Sequence, residues 1–552
     1  MQTTFSPPTI STSSSFTKRI CFLLLFAATL LGGCVVGPNY RPPVSSIPNS
    51  FDASIDQAST DASTEPSKAA TSRPVDLTVW WKSLNDPLLD RLVNQAVVAN
   101  YDIRTAVSRL QEAREVEYAA SGGVIEGVGA SPGVDLSAGA GRGSGTNSVR
   151  GRVAPPVYAG TNTTGLKEIT HVAGFDAGWE VDLFGRYTRL IQAAHADSEA
   201  AAEFRNDVLI SVVAEVVRSY IDVRSLQLRL EIARENAETE TRTVNLVRVL
   251  FKLGINNELD VSLAERELAS TLAQVPLLQS QVVIAERRVA VLLGLYPESL
   301  RAELEQSLPL PHLPPEVGPG MPVTLLKRRP DIRQAERQLA AATARVGVAT
   351  ADLFPNIALT AGGGVQGQGL GRTPVTNTGI WSVGPSLYWP FLDFGQLDAA
   401  VKIADYRTQE AYFNYRKVLI SAVQDVNNAL SNYAGQQDSL AELDQAVAAS
   451  KQAVHLATRR YENGLTDFLN VMDAERQLFS LEDQYAIAQQ NLIYQFVSLY
   501  KALGGGWEGY EKPPAAPRPM PAILAVGADT SNKQSIPLEP AADDKIARHD
   551  GR

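Results

Sequence analysis

Few side chains in this chain are suited to covalent or metal chemistry. Its two cysteines are Cys21 and Cys34, and its five histidines (His171, His195, His312, His455 and His549) are scattered, with no HExxH and no paired CxxC. Zinc-type sites need imidazole or thiolate ligands at such close spacings, so no metal is expected. Gly362-Gly-Gly364-Val-Gln-Gly367 has the glycine spacing of a dinucleotide-binding loop. That loop must open a helix so that its amides face a pyrophosphate. Here the glycines fall between two strand patterns, and the expectation is a flexible loop shared with Gly369 and Gly371. No GxSxG elbow, Walker A lysine or triad spacing is present. Asp and Glu are numerous, 60 in all, but on the long helices they show no fixed pairing and read as solvated faces. Neither an enzyme nor a cofactor is expected.

Cys34 is the exception. Lys18 and Arg19 precede an apolar run from Ile20 to Leu31, and Leu31-Gly32-Gly33-Cys34 follows. A basic segment, a short apolar core and small residues describe an export signal, too short to be a membrane anchor. Small residues directly before a cysteine resemble a lipoprotein processing site, where the sulfur takes a diacylglycerol and the chain is cut ahead of it. The mature chain then has 552 − 33 = 519 residues and one cysteine, so no internal disulfide can form. Val35, in place of the aspartate that holds lipoproteins at the inner membrane, favours the outer one.

The charge balance of 50 Lys and Arg against 60 Asp and Glu gives −10, with no basic tract. Nucleic acid is excluded as a partner, because phosphate binding needs clustered cations. Beyond residue 34 no run is expected to reach the roughly 18 apolar residues of a spanning helix. Membrane strands stay open as a possibility, since their alternation hides from hydropathy averages.

Residues 44–75 are rich in Ser, Thr, Ala and Pro and read as a tether, and 511–552, with five prolines up to Pro521, as a disordered tail. Between them the chain repeats itself. A shift of 210 aligns Phe184-Gly185 with Phe394-Gly395, Gly254 with Gly464, Ala264-Glu-Arg266 with Ala474-Glu-Arg476, and Leu293-Gly294 with Leu503-Gly504. An earlier match, Asp102-Ile-Arg104 with Asp331-Ile-Arg333, has offset 229, so the first copy carries 229 − 210 = 19 extra residues, placed in its Gly-rich loop around 141–165. The expected division is a signal at 1–33, a lipid-anchored tether at 34–79, a first repeat at 80–300, a linker at 301–321, a second repeat at 322–510 and a tail at 511–552.

Each repeat reads as a helix, two strands and two long helices. Apolar positions at Val208, Val212, Val216, Tyr220 and Val223, repeated as Val418, Ala422, Val426, Leu430 and Tyr433, have helical period. Gly254 and Gly464 end the first long helix of each copy where a reversal requires positive φ. Pro276 is expected to interrupt or kink the first return helix. Odd positions from Phe175 to Leu183 and from Trp381 to Trp389 are apolar, and Val134–Ala138 and Ile357–Ala361 alternate similarly. A strand with one face in lipid and one in water has this pattern; so does a strand of a soluble sandwich. Outward Trp179, Trp381 and Trp389 suit an interfacial belt and favour the membrane. Four strands cannot close a barrel, and hydrocarbon tolerates no open edge. Several chains must therefore combine, and three chains would give twelve strands.

These features together resemble the outer-membrane channel proteins of tripartite efflux systems, closest to the lipoprotein subgroup typified by OprM and NodT. The resemblance rests on Val36-Gly-Pro-Asn-Tyr-Arg-Pro-Pro43 after Cys34, Trp80-Trp81 and Asp86-Pro87-Leu88, Lys327-Arg-Arg-Pro-Asp331-Ile-Arg333, Leu353-Phe-Pro-Asn356 and Arg460-Tyr461-Glu-Asn-Gly464. It implies an α+β membrane protein: an internally duplicated protomer with four β-strands and long helical hairpins, trimerising into a 12-stranded β-barrel and a periplasmic 12-helix α-barrel. It also implies outer-membrane lipid around the barrel and a periplasmic adaptor at the tips (Gly254, Tyr461, Gly464). An inner-membrane pump of the RND type would supply the energy, and no cofactor is implied.

Relatives narrow the tunnel just after the tip glycine, at positions matching Leu469, Asn470, Asp473 and Arg476. Leu469 and Asp473 lie one helical turn apart. Three copies would form an apolar ring and a carboxylate ring, which restrict a pore and favour cations. Arg476 is spaced to pair with Asp473 or with a neighbouring chain. A distant relative carries aspartates at two of these positions, and Asn470 replaces one of them. Without the resemblance, Asp473 reads as a solvated helix charge. Two other functions fit parts of the sequence. A periplasmic coiled-coil scaffold explains the anchor and helices but not four placed strands, and a duct for type I protein secretion keeps the pore but changes the pump.

Overall fold

The computed structural model describes residues 35–43, 77–121, 130–143, 168–313, 328–370 and 376–510. The expected export signal, Cys34, the Ser/Thr-rich tether, the tail and most of the first copy's Gly-rich insertion lie outside the described residues.

A 3-10 segment at Leu77–Leu84 leads into α1 (Pro87–Ala99) and α2 (Tyr101–Ser121). Asp86 caps α1, its carboxylate accepting from the amides of Leu88 at 2.9 Å and Leu89 at 3.2 Å, with Pro87 in the first turn where its missing N–H costs nothing. Asn100 caps α2 through the amide of Asp102 at 2.8 Å and donates to the Leu292 carbonyl at 2.7 Å. Next come β1 (Ala130–Gly143), β2 (Glu168–Val181), α3 (Arg186–Lys252), α4 (Glu258–Leu292) and the short α5 (Arg301–Leu304). The second copy supplies α6 (Pro330–Ala351), β3 (Asn356–Leu370), β4 (Thr376–Tyr388), α7 (Gln396–Glu462) and α8 (Phe468–Ala502).

The repeat governs element boundaries. α3 and α7 have 67 residues each and α4 and α8 have 35, with starts and ends all 210 apart. α2 and α6 start 229 apart. At about 1.5 Å per residue, α3 and α7 each run about 100 Å. Pro276 lies inside α4 without ending it. The residues around it are exposed, so the Leu272 carbonyl that loses its donor can face water. Contrary to the reading of the sequence, one stretch does reach spanning length and hydropathy: an 18-residue window in α4 averages 1.3. Leu278, Val282, Ala285 and Val289 of this helix are buried, while Leu272, Leu277, Ile284 and Val291 are exposed.

The four strands form one antiparallel sheet in the order β1-β2-β3-β4, with the outer edges of β1 and β4 unpaired among the described residues. Rows Val181–Ile357–Leu387, Trp179–Leu359–Pro385 and Ala177–Ala361–Val383 share one face. Glu180–Ala358–Ser386 and Gly178–Thr360–Gly384 share the other. One face is apolar and one polar, as the alternation required. The glycines from Gly362 to Gly367 are not a loop. They lie within β3, paired to β2 and β4. A Cβ on Gly364 would come 2.6 Å from the Ala173 carbonyl oxygen, so close approach of strands, not flexibility, accounts for this glycine.

The main core gathers around the middle of α3 and the ends of α4 and α8 farthest from the hairpin turns. Trp80 stacks on Tyr500 (5.6 Å between centroids, 14°) and meets Trp81 and Phe496 edge-on, and Leu89, Leu92, Tyr220 and Leu293 pack alongside. Arg224, fully buried, donates to the carbonyl of Gln306 at 2.6 Å and to Gln227 Oε1 at 2.7 Å, tying the segment after α5 to α3.

The two copies differ in what covers them. On α3, Ala193, Ala196, Glu203 and Ile210 are 2, 6, 8 and 4% exposed, partly beneath α6, where Ala196 meets Ala340 and Ala341 and Glu203 pairs with Arg333 at 2.5 Å. Their counterparts on α7, Ile403, Tyr406, Phe413 and Ile420, are 52, 68, 65 and 62% exposed.

Candidate functional site

Both hairpin turns close by the same backbone device. After α3, Gly254 (φ +75°) donates to the Phe251 carbonyl at 2.9 Å, and Ile255 to that of Leu250 at 3.0 Å. After α7, Gly464 (φ +66°) donates to Tyr461 at 2.9 Å, and Leu465 to Arg460 at 2.8 Å. This pair of bonds is a Schellman cap, whose central residue must be left-handed. Nothing lies within 4 Å of a Cβ built on either glycine, so backbone strain alone opposes a side chain there. Gly254→Ala or Gly464→Ala is expected to cost about 1–2 kcal/mol, read as an earlier loss of helical circular dichroism on heating.

The tips of the two hairpins are packed together. Val244 and Val247 of α3, Ala264 of α4, Tyr461 of α7 and Phe468, Val471 and Met472 of α8 form one buried cluster. The Tyr461 ring lies 5.5 Å from Phe468, and its hydroxyl accepts from Asn256 Nδ2 in the other turn. Tyr461 therefore ties the first tip to the second, a role its place in the sequence motif did not reveal.

Leu469, Asn470, Asp473 and Arg476 lie on the exposed side of α8, away from that cluster. Arg476 pairs with Asp473 of its own chain at 2.6 Å, and Asn470 donates to Thr466 Oγ1 at 2.7 Å. One turn beyond the cluster, Glu240 and Glu475 are buried between the hairpins. Sequence reasoning passed over both, although Glu240 sits on the stripe Ala233–Ala237–Val244–Val247, where a charged residue is out of place.

At the other end of the long helices the three tryptophans take different heights. Trp389 follows the last residue of β4, and its indole N–H donates to the Leu353 carbonyl at 3.1 Å. Trp381, strongly exposed, is eight residues back along the same strand line, about 26 Å away. Trp179, half-buried, pairs in register with Leu359 between them. Exposed Tyr388, Phe391, Leu392 and Phe394 surround Trp389.

Residues following Cys34 are seated at this same end. The Val36 amide donates to the Phe184 carbonyl at 3.1 Å. Arg189, buried in the first turn of α3, donates to the carbonyls of Val36 at 3.1 Å and Gly37 at 3.0 Å and to Asn39 Oδ1 at 2.8 Å. Tyr40 donates to Glu336 at 2.8 Å. Nothing local in the sequence marked Arg189, because its partners lie some 150 residues away. Among the described residues no group of three or more His, Cys, Asp or Glu is arranged to hold a metal ion.

Comparison with known proteins gives concordant results. The profile of the family described as "Outer membrane efflux protein" matches residues 92–295 and 321–505. Nodulation protein T of Rhizobium leguminosarum bv. trifolii is 31% identical over 494 residues, 88% of this chain and 97% of that protein. The pyoverdine export outer membrane protein OpmQ of Pseudomonas aeruginosa is 31% identical over 444 residues, 80% of this chain and 90% of its own. Among solved structures, the outer-membrane channel OprN superposes with a TM-score of 0.71 at 36% identity, covering 86% of this chain and all of that one.

Proposed function

Since this chain belongs to the outer membrane efflux protein family and is an efflux channel of the outer membrane, we propose that it acts as a homotrimeric exit duct. The observation that carries this reading is the open-edged sheet with one apolar and one polar face. In lipid, unpaired strand edges are untenable, and a meander ending at β4 can continue only into β1 of another copy. Three chains of four strands close a barrel of twelve. The helices support the same head-to-tail contact. The stripe that α6 helps cover on α3 is bare on α7, and the counterpart of α6 is α2. On α2 the residues matching Ala340, Ala341, Ala344 and Gly347 are Gln111, Glu112, Glu115 and Tyr118, all exposed. Glu112 and Glu115 carry charge opposite to that of Lys402, Arg407, Arg416 and Lys417 beside the bare stripe of α7, which supports α2 of one copy lying against α7 of the next. Three copies of α3, α4, α7 and α8 then line a twelve-helix periplasmic tube.

In this reading residues 1–33 are an export signal and Cys34 carries lipid in the outer membrane, supported by the docking of Val36 at the end of β2. The mature chain comprises a tether to 79, repeats at 80–300 and 322–510 joined by 301–321, and a tail from 511. The tips around Gly254, Tyr461 and Gly464 meet a periplasmic adaptor and, through it, an inner-membrane pump of the RND type. The duct conducts passively. Similar identity to a pyoverdine exporter and to a nodulation protein leaves choice of cargo with the pump.

Leu469 and Asp473 narrow the periplasmic mouth, with Arg476 drawing Asp473 back along its own helix. Asp473→Ala is expected to raise single-channel conductance and weaken cation preference in planar bilayers. Unchanged conductance would remove Asp473 from the constriction. A non-conducting scaffold would give no channels from wild-type protein either.

A further inference from the structure

Between the two hairpins, one turn from the tip cluster, three carboxyl groups converge from three helices. Glu240 of α3 is 3% exposed and Glu475 of α8 is 6% exposed, while Glu267 of α4 is half-buried beside them. Each of the two buried groups has one threonine donor from a neighbouring helix. Thr271 of α4 donates to Glu240 Oε1 at 3.0 Å, and Thr243 of α3 donates to Glu475 Oε1 at 3.0 Å. Glu240 Oε2, equally buried, meets no donor among the described residues. Among the described residues no cation pairs with Glu240 or Glu475. Arg242 pairs with Glu238, Arg248 with Glu265 and Arg476 with Asp473, each at 2.6 Å, and Arg266 reaches Glu267 at 3.4 Å. On α7, Lys451 pairs with Glu482, while His455, Arg459 and Arg460 are exposed.

We propose that this junction is a proton-operated catch on the channel's periplasmic tips. With the Glu240–Glu475 pair protonated, the hairpin α7–α8 stays packed on α3–α4; with the proton gone, like charges in a buried site drive α8 off α3 and loosen the tip. The catch regulates the mouth of the duct and so rests on the channel reading above.

Burial, with Glu267 and Glu475 adding their charge, pushes the Glu240 carboxyl up to about 7. Burial also raises Glu475, with Glu267 acting in the same direction. A carboxyl raised in the folded state favours packing fully below its ordinary range, and that contribution is lost as pH rises through the raised value. The catch is therefore closed in mild acid and releases near pH 7.

The test uses the full-length mature trimer with spin labels on Leu253→Cys and Leu465→Cys, exposed positions in the two turns. Labelled chains are diluted so that each trimer carries one pair. Electron–electron dipolar distances are recorded from about pH 5.5 to about pH 8.5. The inter-turn distance is expected to lengthen and broaden with a midpoint near pH 7. Glu240→Gln, which keeps shape and hydrogen bonding but carries no charge, should hold the short distance at every pH. Glu475→Gln should move the midpoint to lower pH by removing one repelling neighbour. A distance indifferent to pH in the wild type, or a transition surviving Glu240→Gln, overturns the catch. If such preparations still conduct in bilayers, the channel reading stands without it; if no preparation conducts at any pH, both fall together.

Discussion

A chain with lysine in place of Phe413 is expected to leave detergent extraction as a monomer. Phe413 belongs to the stripe Ile403–Tyr406–Phe413–Ile420, whose spacings of 3, 7 and 7 keep it on one helix face. The stripe's repeat counterparts are buried within the chain, and in the homotrimer proposed above the same face on α7 meets α2 of the next copy, where Arg104 stands in the place of the Arg333 that pairs with Glu203. A lone ammonium buried at that contact, facing Arg104 with Arg416 and Lys417 on its own helix, costs about 3 kcal/mol or more, roughly a hundredfold or greater loss of association constant at each interface. Light scattering on the purified protein reads the result. Val291→Lys is the control: Val291 is also exposed and apolar, but its repeat counterpart, Lys501, is exposed too, so no interface is expected there. Persistence of trimers in the Phe413 variant would place the contact on another face.

Trp80→Ala is expected to lower the stability of the folded chain by about 3–5 kcal/mol. Trp80 is 1% exposed and holds the residues before α1 against Tyr500 and Phe496 of α8, joining the start of the first repeat to the end of the second. Removing the indole leaves a cavity flanked by rings that Trp81 and Tyr510 further constrain through their own stacking at 6.4 Å. The denaturant midpoint for loss of helical circular dichroism measures the effect. A loss below about 1 kcal/mol would mean that the surrounding side chains collapse into the gap.

Much of the architecture could be read in one dimension because duplication repeats its own evidence. The offset of 210 places both hairpins, and Gly254 and Gly464 mark the turns, since a reversal after an α-helix demands a left-handed residue. Alternation revealed strands, but only where side chains exist to alternate. The run from Gly362 to Gly367 carries almost none, and so the alternation stops at Ala361, nine residues short of the end of β3, and its glycines read as a loop.

The sequence by itself determined the long periodic helices, their turns, the two-faced strands and the insufficiency of four strands for a closed barrel. These follow from local period and from the chain's limited stock of reactive groups. Tertiary structure alone decided which equivalent residues are covered. Ala193 and Ile403 occupy the same place in the repeat, yet one is buried and the other bare. Burial depends on whether a helix far along the chain arrives to cover the site. The same nonlocality hid Arg189, whose carbonyl partners come from residues 36 and 37, and Glu240, whose neighbours come from α4 and α8. An arginine or a glutamate on a helix looks solvated until packing removes the water.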